Sequence, residues 1–190
     1  MVFEKNILQH RKIAILAADG FNESQLFSPK KALEEAGAEV VIVSINRGEI
    51  KSWEKDHWGK SIPVDATINE CHADEFDGLV IPGGEKNPEI LMHDKTVCDF
   101  VKEFVYDGKS IASICRGTKV LLDAGVAKGK MLAAWPEMKN EVIKSGAKWK
   151  DDEVVAHKGF ITSRCQEESV NFNRKMIEGF ALSPKRPLLH

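Results

Sequence analysis

Four apolar segments, with amphipathic segments between them, constrain the fold more than any other feature of this sequence. They cover residues 12–18, 39–45, 76–81 and 109–114. Residues 12–18 form a continuous apolar run, which is typical of a strand buried on both faces, and the other three segments are expected to be core strands beside it. Apolar residues at helical spacing follow three of them, over residues 22–36, 94–106 and 116–124. Strands that alternate with helices predict an α/β protein of three layers, in which helices cover both faces of a mostly parallel central sheet.

The remaining segments extend this architecture. We expect short strands over 131–135, 153–157 and 160–163, and helices over 137–145 and 169–180. Pro29 lies inside the helix over 22–36, so we expect that helix to kink or restart there. Residues 47–68 are polar, carry Trp53 and Trp58, and predict a hairpin-like excursion. The length of 190 residues fits a single domain over 1–190, with tails at 1–11 and 182–190.

The charge balance and hydropathy argue against several classes of protein. The chain has 27 Lys and Arg against 29 Asp and Glu, a net charge of −2, so it lacks the basic surplus typical of nucleic-acid binding. No apolar run approaches the roughly 20 residues that span a bilayer, which argues against a membrane protein. The first residues lack the pattern of a secretory signal, so we expect a cytoplasmic protein.

The four cysteines are Cys71, Cys98, Cys115 and Cys165. They are widely spaced and contain no C-x-x-C pair, which argues against both a disulfide framework and a zinc site. We expect no metal and no cofactor. A functional cysteine in this chain would therefore act as a thiol.

Cys115 is the cysteine whose context predicts reactivity. It ends the strand over 109–114, and a helix begins at Arg116, which has the form of a nucleophile elbow with Gly117 allowing close approach. The helix N-terminus and the charge of Arg116 are expected to lower the pKa of the Cys115 thiol. The alternative is a small buried residue that fills the end of a strand.

Two further turns are expected at the same edge of the sheet. Gly83 and Gly84 follow the strand over 76–81, and beside the elbow the N–H groups of Gly84 and Arg116 would hold an oxyanion. Glu23 follows the first strand. We expect Glu23 to lie beside Cys115, partly protonated by burial, and to donate a hydrogen bond to the sulfur. A simple tight turn at the glycines and helix capping by Glu23 are the alternatives.

The motifs taken together resemble a known family. Phe21-Asn-Glu-Ser24, the P-G-G turn, the A-S-I-C-R-G elbow, Ala134-Trp-Pro136 and Ile161-Thr-Ser-Arg164 are similar in order and spacing to the DJ/PfpI superfamily, and most similar to its PfpI-type branch of intracellular peptidases and general stress proteins. The resemblance implies a flavodoxin-like sandwich of the class I glutamine amidotransferase type, with Cys115 and Glu23 as the reactive centre. Members are described as cysteine peptidases, glyoxalases, protein deglycases or oxidation-sensitive stress proteins, usually homodimers or hexamers.

This chain departs from the family pattern at two positions that usually hold a histidine. Arg116 follows the cysteine where peptidase-like members carry His, and Trp135 precedes Pro136 where another branch carries His. Arginine stays protonated in proteins and cannot be a general base, which weighs against Cys-His proteolysis. Trp135 would instead form an apolar wall over the thiol.

The sequence therefore predicts a stress-response protein whose Cys115 attacks small electrophiles or modified protein side chains, with Glu23 moving the proton. The activity would be of the glyoxalase, deglycase or hydrolase type. A non-enzymatic redox sensor or chaperone-like protein in which Cys115 is oxidised is the alternative, and an intracellular cysteine peptidase is disfavoured. A homodimer or hexamer is expected, and neither nucleic acid nor membrane is an expected partner.

Overall fold

A computed structural model describes residues 6–186. Its strands are β1 Lys12–Leu16, β2 Glu39–Ser44, β3 Glu49–Glu54, β4 His57–Pro63, β5 Ala66–Thr67, β6 Gly78–Ile81, β7 Ser110–Ile114, β8 Met131–Leu132, β9 Lys148–Trp149, β10 Val154–His157 and β11 Phe160–Ser163. Its α-helices are α1 Glu23–Glu35, α2 Asn87–Leu91, α3 Lys95–Tyr106, α4 Thr118–Asp123, α5 Lys139–Lys144 and α6 Ser169–Leu182.

Seven of these strands form the central sheet, in the order β10-β11-β7-β6-β1-β2-β5. All neighbours run parallel except β10, which pairs antiparallel with β11 at the edge. The chain moves outward from β1 to β2 and then returns to the other side of β1 with β6. The order therefore reverses beside β1, the position at which open α/β sheets form a crevice outside the carboxyl ends of their strands.

Alternate residues of the sheet face two separate cores. Ala14 and Leu16 of β1 pack in one cluster with apolar residues of α3 and α4, whereas Ile13 and Ile15 pack in the other with residues of α1 and α6. Helices thus cover both faces of the sheet. The prediction of a three-layer α/β sandwich with a mostly parallel sheet is confirmed.

The segment expected to be a hairpin-like excursion contains β3 and β4, which pair antiparallel, and then β5, which joins the edge of the central sheet. The hairpin is attached to the loop after β1. Gly20 donates its N–H to the carbonyl of Lys51 at 2.7 Å, and the N–H of Trp53 donates to the carbonyl of Phe21 at 3.0 Å. These bonds place one strand of the hairpin beside the crevice.

Three local predictions require correction. Helix α1 continues through Pro29 as one helix from its N-cap at Asn22, so the expected restart is wrong. The short strand predicted over 131–135 is limited to β8, because Trp135 opens a 3₁₀ turn over Pro136–Met138. Helix α2 was not predicted, because its five residues are too short for a periodic apolar pattern.

Parts of both expected tails pack against the domain. Leu8 and Arg11 are buried, and Ser183 donates a hydrogen bond to the carbonyl of Asp77. The Asp77 carboxylate, 1% exposed, accepts bonds from the N–H of Lys12 and from the N–H and guanidinium of Arg186 at 2.6–2.7 Å. A buried carboxylate therefore joins the start of β1 to the segment after α6. The outer parts of the predicted tails, 1–5 and 187–190, lie outside the described residues.

No helix within residues 6–186 combines the length and the apolar character needed to cross a membrane.

Candidate active site

Cys115 lies at the carboxyl end of β7, at the first residue of a 3₁₀ turn that leads into α4. Its backbone has a φ of +57°, a left-handed conformation that costs an L-residue roughly 1–2 kcal/mol. Its neighbours hold the turn closed. A Cβ on Gly117 would lie 2.5 Å from the carbonyl oxygen of Ile81, and a Cβ on Gly83 would lie 2.8 Å from that of Ile114. Only glycine permits this contact between the two turns, so the P-G-G turn lies beside the elbow, as predicted.

Gln25, in the first turn of α1, bridges these two turns. Its Oε1 accepts the N–H of Gly83 at 2.9 Å. The Gln25 side chain and the backbone N–H of Arg116 both act as hydrogen-bond donors would on the Cys115 thiol, because both lower its pKa. With its oxygen used by Gly83, Gln25 has only its amide N–H₂ left to offer the sulfur. Neither an amide nor a backbone N–H transfers protons.

Burial raises the pKa of the Cys115 thiol above its ordinary value. The hydrogen bonds from Arg116 and Gln25 and the charge of Arg116 act in the opposite direction, and the charge of Glu167 adds to the rise. The expected lowering of this pKa is therefore wrong, because the elbow buries Cys115, which is only 7% exposed to water. The donors at the elbow limit the rise without reversing it.

We expect replacement of Gln25 by leucine to raise the Cys115 pKa further. One lost hydrogen bond of about 0.5–1.5 kcal/mol corresponds to at most about one pKa unit, so alkylation by iodoacetamide at neutral pH should slow about two- to tenfold. The measurement is the alkylation rate of Cys115 against pH, followed by peptide mass. Ser24→Ala is the matched control, because the Ser24 hydroxyl contacts Asn22 and Gln166. An unchanged rate in Gln25→Leu would contradict the bond to the sulfur.

Glu23 lies away from this cluster. Its carboxylate is 2.5 Å from Nζ of Lys60 and accepts a hydrogen bond from Ser52 at 3.4 Å. The bond to Lys60 lowers the pKa of Glu23, so the prediction of a partly protonated carboxyl is wrong. Glu23 lines a separate hollow with Ser24, Phe27, Glu54 and Gln166. Residue 23 is the first of α1 and faces the hairpin, whereas Gln25, two positions on, is buried and faces the elbow.

A cleft of about 380 Å³ opens above the elbow. Of the predicted site residues, Cys115, Arg116, Gly84 and Trp135 line it, whereas Gly83 and Gly117 support the turns beneath. Residues that line it and were not predicted come from α1 and its N-cap, the hairpin, the P-G-G turn and the segment after β11: Asn22, Gln25, Trp53, Lys55, Glu85, Cys165, Gln166 and Glu167. None of the described residues that line the cleft is a histidine.

Arg116 and Trp135 form one side of the cleft. The guanidinium of Arg116 lies 5.7 Å from the centre of the Trp135 ring. The backbone N–H of Trp135 donates to the backbone carbonyl of Cys115 at 3.4 Å. The Arg116 side chain is 36% exposed, and its approach to Glu137 is 4.0 Å. This weak pairing leaves the guanidinium able to meet an anionic group in the cleft.

Comparison with known proteins identifies the family. The model of the DJ-1/PfpI family matches residues 11–179. The chain belongs to the DJ-1/PfpI family. A deglycase of Thermococcus kodakarensis is 38% identical over 167 residues, which are 88% of this chain and 98% of that protein. The protein/nucleic acid deglycase 2 of Escherichia coli is 34% identical over 168 residues, 88% of this chain and 96% of that protein.

Solved DJ-1/PfpI structures show the same fold. Drosophila melanogaster DJ-1beta superposes with a TM-score of 0.81 at 29% identity, over 90% of each chain. The flavodoxin-like sandwich implied by the sequence motifs is confirmed by this likeness. The family membership and the relatives named deglycases are consistent with a role of the hydrolase or deglycase type.

The sequence did contain a signal for Gln25. Asn22 and Gln25 have the N-cap and N3 spacing of a capping box, a pattern that marks the start of α1 at residue 22. Residue 25 then falls in the first turn of the helix, and its long amide is the first side chain of α1 that is both polar and buried. No sequence pattern comparable to this one indicated that Cys165 and Glu167 line the cleft. They lie on the segment after β11, which is far from the elbow along the chain.

Proposed function

We propose that this protein is a cysteine-dependent enzyme that consumes small 2-oxoaldehydes or the early adducts they form on protein side chains. The observation that carries the proposal is the position of Cys115, on a strained elbow at the base of a cleft and directly before Arg116, which also lines the cleft. Such an arrangement is typical of a nucleophile held beside an oxyanion site. The relatives named deglycases support this chemical class.

The reaction begins when the Cys115 sulfur adds to the aldehyde carbon and the thiol proton passes to the aldehyde oxygen. The proton on that carbon then moves to the neighbouring carbonyl carbon, and the hydroxyl proton moves to the oxygen of that neighbouring carbonyl, so the adduct becomes a thioester of a 2-hydroxy acid. Water then hydrolyses the thioester, releases the acid and restores the thiol. The N–H groups of Arg116 and Gly84 are the proposed donors to the developing oxyanion, and Arg116 is the proposed partner for the carboxylate of the product.

Glu167 replaces Glu23 as the proposed proton carrier. Glu167 lines the cleft, and its charge is close enough to raise the pKa of Cys115. Glu23, bound to Lys60 and outside the cleft lining, is assigned a structural role in attaching α1 to the hairpin. This assignment differs from the sequence-based one, because only a carboxylate that faces the sulfur can exchange its proton.

Replacing Glu167 by glutamine should change the alkylation rate of Cys115 and the kcat for the aldehyde in opposite directions. Removing its negative charge lowers the Cys115 pKa, so alkylation at neutral pH should become faster. Loss of the proton carrier should at the same time lower kcat by about 100-fold or more. Glu23→Gln is the matched control and should leave both rates within about twofold, since one pairing at an exposed site is weak. A rise of both rates in Glu167→Gln would show that Glu167 acts by its charge alone.

The proposal is tested by incubating the reduced protein with methylglyoxal and measuring both loss of the aldehyde and formation of lactate. Lactate should accumulate in proportion to enzyme and time. A second assay supplies a peptide treated with methylglyoxal just beforehand and follows the recovery of unmodified peptide. Rates equal to a buffer blank in both assays would overturn the proposal.

Peptide hydrolysis is disfavoured by the same geometry. Proteolysis by a cysteine needs a base that carries its proton to the leaving amine, and no histidine is among the described residues of the cleft. The position next to the cysteine is Arg116, which stays protonated.

Association of copies through the hairpin is a further part of the proposal. Trp58 of β4 is 50% exposed, and its ring packs at 5.0 Å on that of Trp53, which faces the cleft. A second copy seated on Trp58 would form a symmetric contact next to the active site. Sedimentation of wild type and Trp58→Ser should show a loss of mass in the variant, and equal masses would contradict the contact.

A further inference from the structure

Two of the four thiols line the same cleft. Cys115 lies at its base and Cys165 on the segment after β11, whereas Cys71 bonds the carbonyl of Thr67 and Cys98 bonds Asp123. The latter two are therefore tied to other parts of the domain. The shared cleft makes Cys115 and Cys165 the candidate pair for a reversible bond.

The register of the sheet places the two cysteines close together. Strands β7 and β11 are parallel neighbours, and Ile114 pairs with Ser163. Cys115 is one residue beyond this pair on β7, and Cys165 is two residues beyond it on β11. Neighbouring strands lie about 4.8 Å apart. From this register we infer a separation of the two backbones near the range of roughly 4.4–6.8 Å that a disulfide spans.

The segment that carries Cys165 is held in place. Arg164 bonds both Glu168 and Asp151 through its guanidinium, at 2.6–2.8 Å, and its N–H donates to Glu168 at 3.1 Å. Cys165 is half-buried. Glu167 lines the same cleft as both thiols, and its carboxylate raises the pKa of each of them. Glu167 is therefore the carboxylate that we assign to take the proton from Cys165.

We propose that Cys165 is a resolving cysteine, which forms a reversible disulfide with Cys115 after a hydroperoxide has oxidised Cys115. In the first step the Cys115 sulfur attacks one oxygen of hydrogen peroxide and the O–O bond breaks, giving a sulfenic acid, and the other oxygen leaves as water with the thiol proton. In the second step the Cys165 sulfur attacks the Cys115 sulfur, the S–O bond breaks, and the second oxygen leaves as water with the proton that Glu167 relays. The two thiols lose two electrons and two protons in total, and one peroxide is reduced to two waters.

This inference rests on the proposed function for its consequence, because the disulfide withdraws the nucleophile from carbonyl chemistry until a thiol reductant restores it. It also gives Cys115 a route away from irreversible sulfinic acid. Oxidant would thus switch the enzyme off without destroying it.

The test treats reduced protein with several equivalents of hydrogen peroxide, since a disulfide consumes one peroxide and a sulfinic acid two. Free thiols are then blocked with N-ethylmaleimide, and the protein is digested with trypsin without reductant. The wild type should give a linked pair of peptides, residues 110–116 joined to 165–174, and dithiothreitol should restore the alkylation of Cys115. Cys165→Ser and Cys165→Ala should lack the link and accumulate Cys115 sulfinic acid, which dithiothreitol does not reverse. Cys98→Ser is the matched control and should behave as the wild type.

Sulfinic acid on Cys115 of the wild type without the linked pair would overturn the inference, as would a link from Cys115 to Cys71 or Cys98. The linked peptides are detected by mass, independently of turnover. A protein that forms the link and consumes no 2-oxoaldehyde contradicts the proposed function alone, whereas turnover without the link contradicts the resolving cysteine alone.

Discussion

Replacing Cys115 by alanine is expected to lower the turnover of methylglyoxal by about a thousandfold or more. The reason is that no other described thiol reaches the same position. Cys71 and Cys98 lie outside the cleft lining, and Cys165 is on the segment after β11, not at the elbow, with a pKa raised to about 11, mainly by burial. The measurement is lactate formation under saturating aldehyde, at matched protein concentrations.

The fold of this variant should be retained, because the elbow is held by backbone contacts around Gly83 and Gly117 and not by the sulfur. Urea unfolding should place the variant within about 1 kcal/mol of wild type, the range of a small change at a site with little volume to lose. Cys98→Ala is the control and should keep its activity. Residual turnover above one tenth of wild type in Cys115→Ala would assign the chemistry to another residue.

Replacing Asp77 by alanine is expected to destabilise the protein by about 3–5 kcal/mol. The Asp77 carboxylate accepts bonds from the Lys12 N–H and twice from Arg186, and it lies 3.7 Å from the guanidinium of Arg11. Arg11 is 6% exposed, so loss of Asp77 leaves a buried positive charge without its counter-ion. The start of β1 and the segment after α6 would loosen together. Equilibrium unfolding in urea measures this loss.

Asp151→Ala is the matched control for the Asp77 variant. Asp151 also pairs with an arginine, at 2.8 Å from Arg164, but its side chain is 75% exposed. Pairs in contact with water add little stability, so this variant should unfold near the wild-type midpoint. Equal losses in the two variants would show that burial of the Asp77 pair is not what makes it stabilising.

Much of the fold was predictable from local pattern. Strands β1, β6 and β7 are buried runs with no alternation, and β2 is buried over its second half. The amphipathic stripe of α3 is a strong helical signal. These features are properties of neighbouring residues along the chain. The elbow at Cys115 was predictable for the same reason, since a strand, a cysteine and a glycine follow each other directly.

The part of the site that failed was the part that depends on orientation and burial. Glu23 and Gln25 are two residues apart, and only the direction in which α1 leaves Asn22 decides which of them faces the sulfur. The direction of the Cys115 pKa shift likewise depends on how deeply the turn withdraws the thiol from water, which no motif encodes. Glu167 and Cys165 reach the cleft through the pairing of β11 with β7, a contact between residues about fifty positions apart in the chain.

The two ends of the central sheet limit how copies of this protein can meet. One end is β5, with two residues, and the other is β10, which follows the charged residues Asp151, Asp152 and Glu153. A very short edge strand and acidic side chains beside an edge both disfavour pairing of a strand from another molecule with that edge of the sheet. Pairing of another strand with either edge of the central sheet is therefore disfavoured, so copies of the protein would have to meet through side-chain surfaces or through the smaller sheets.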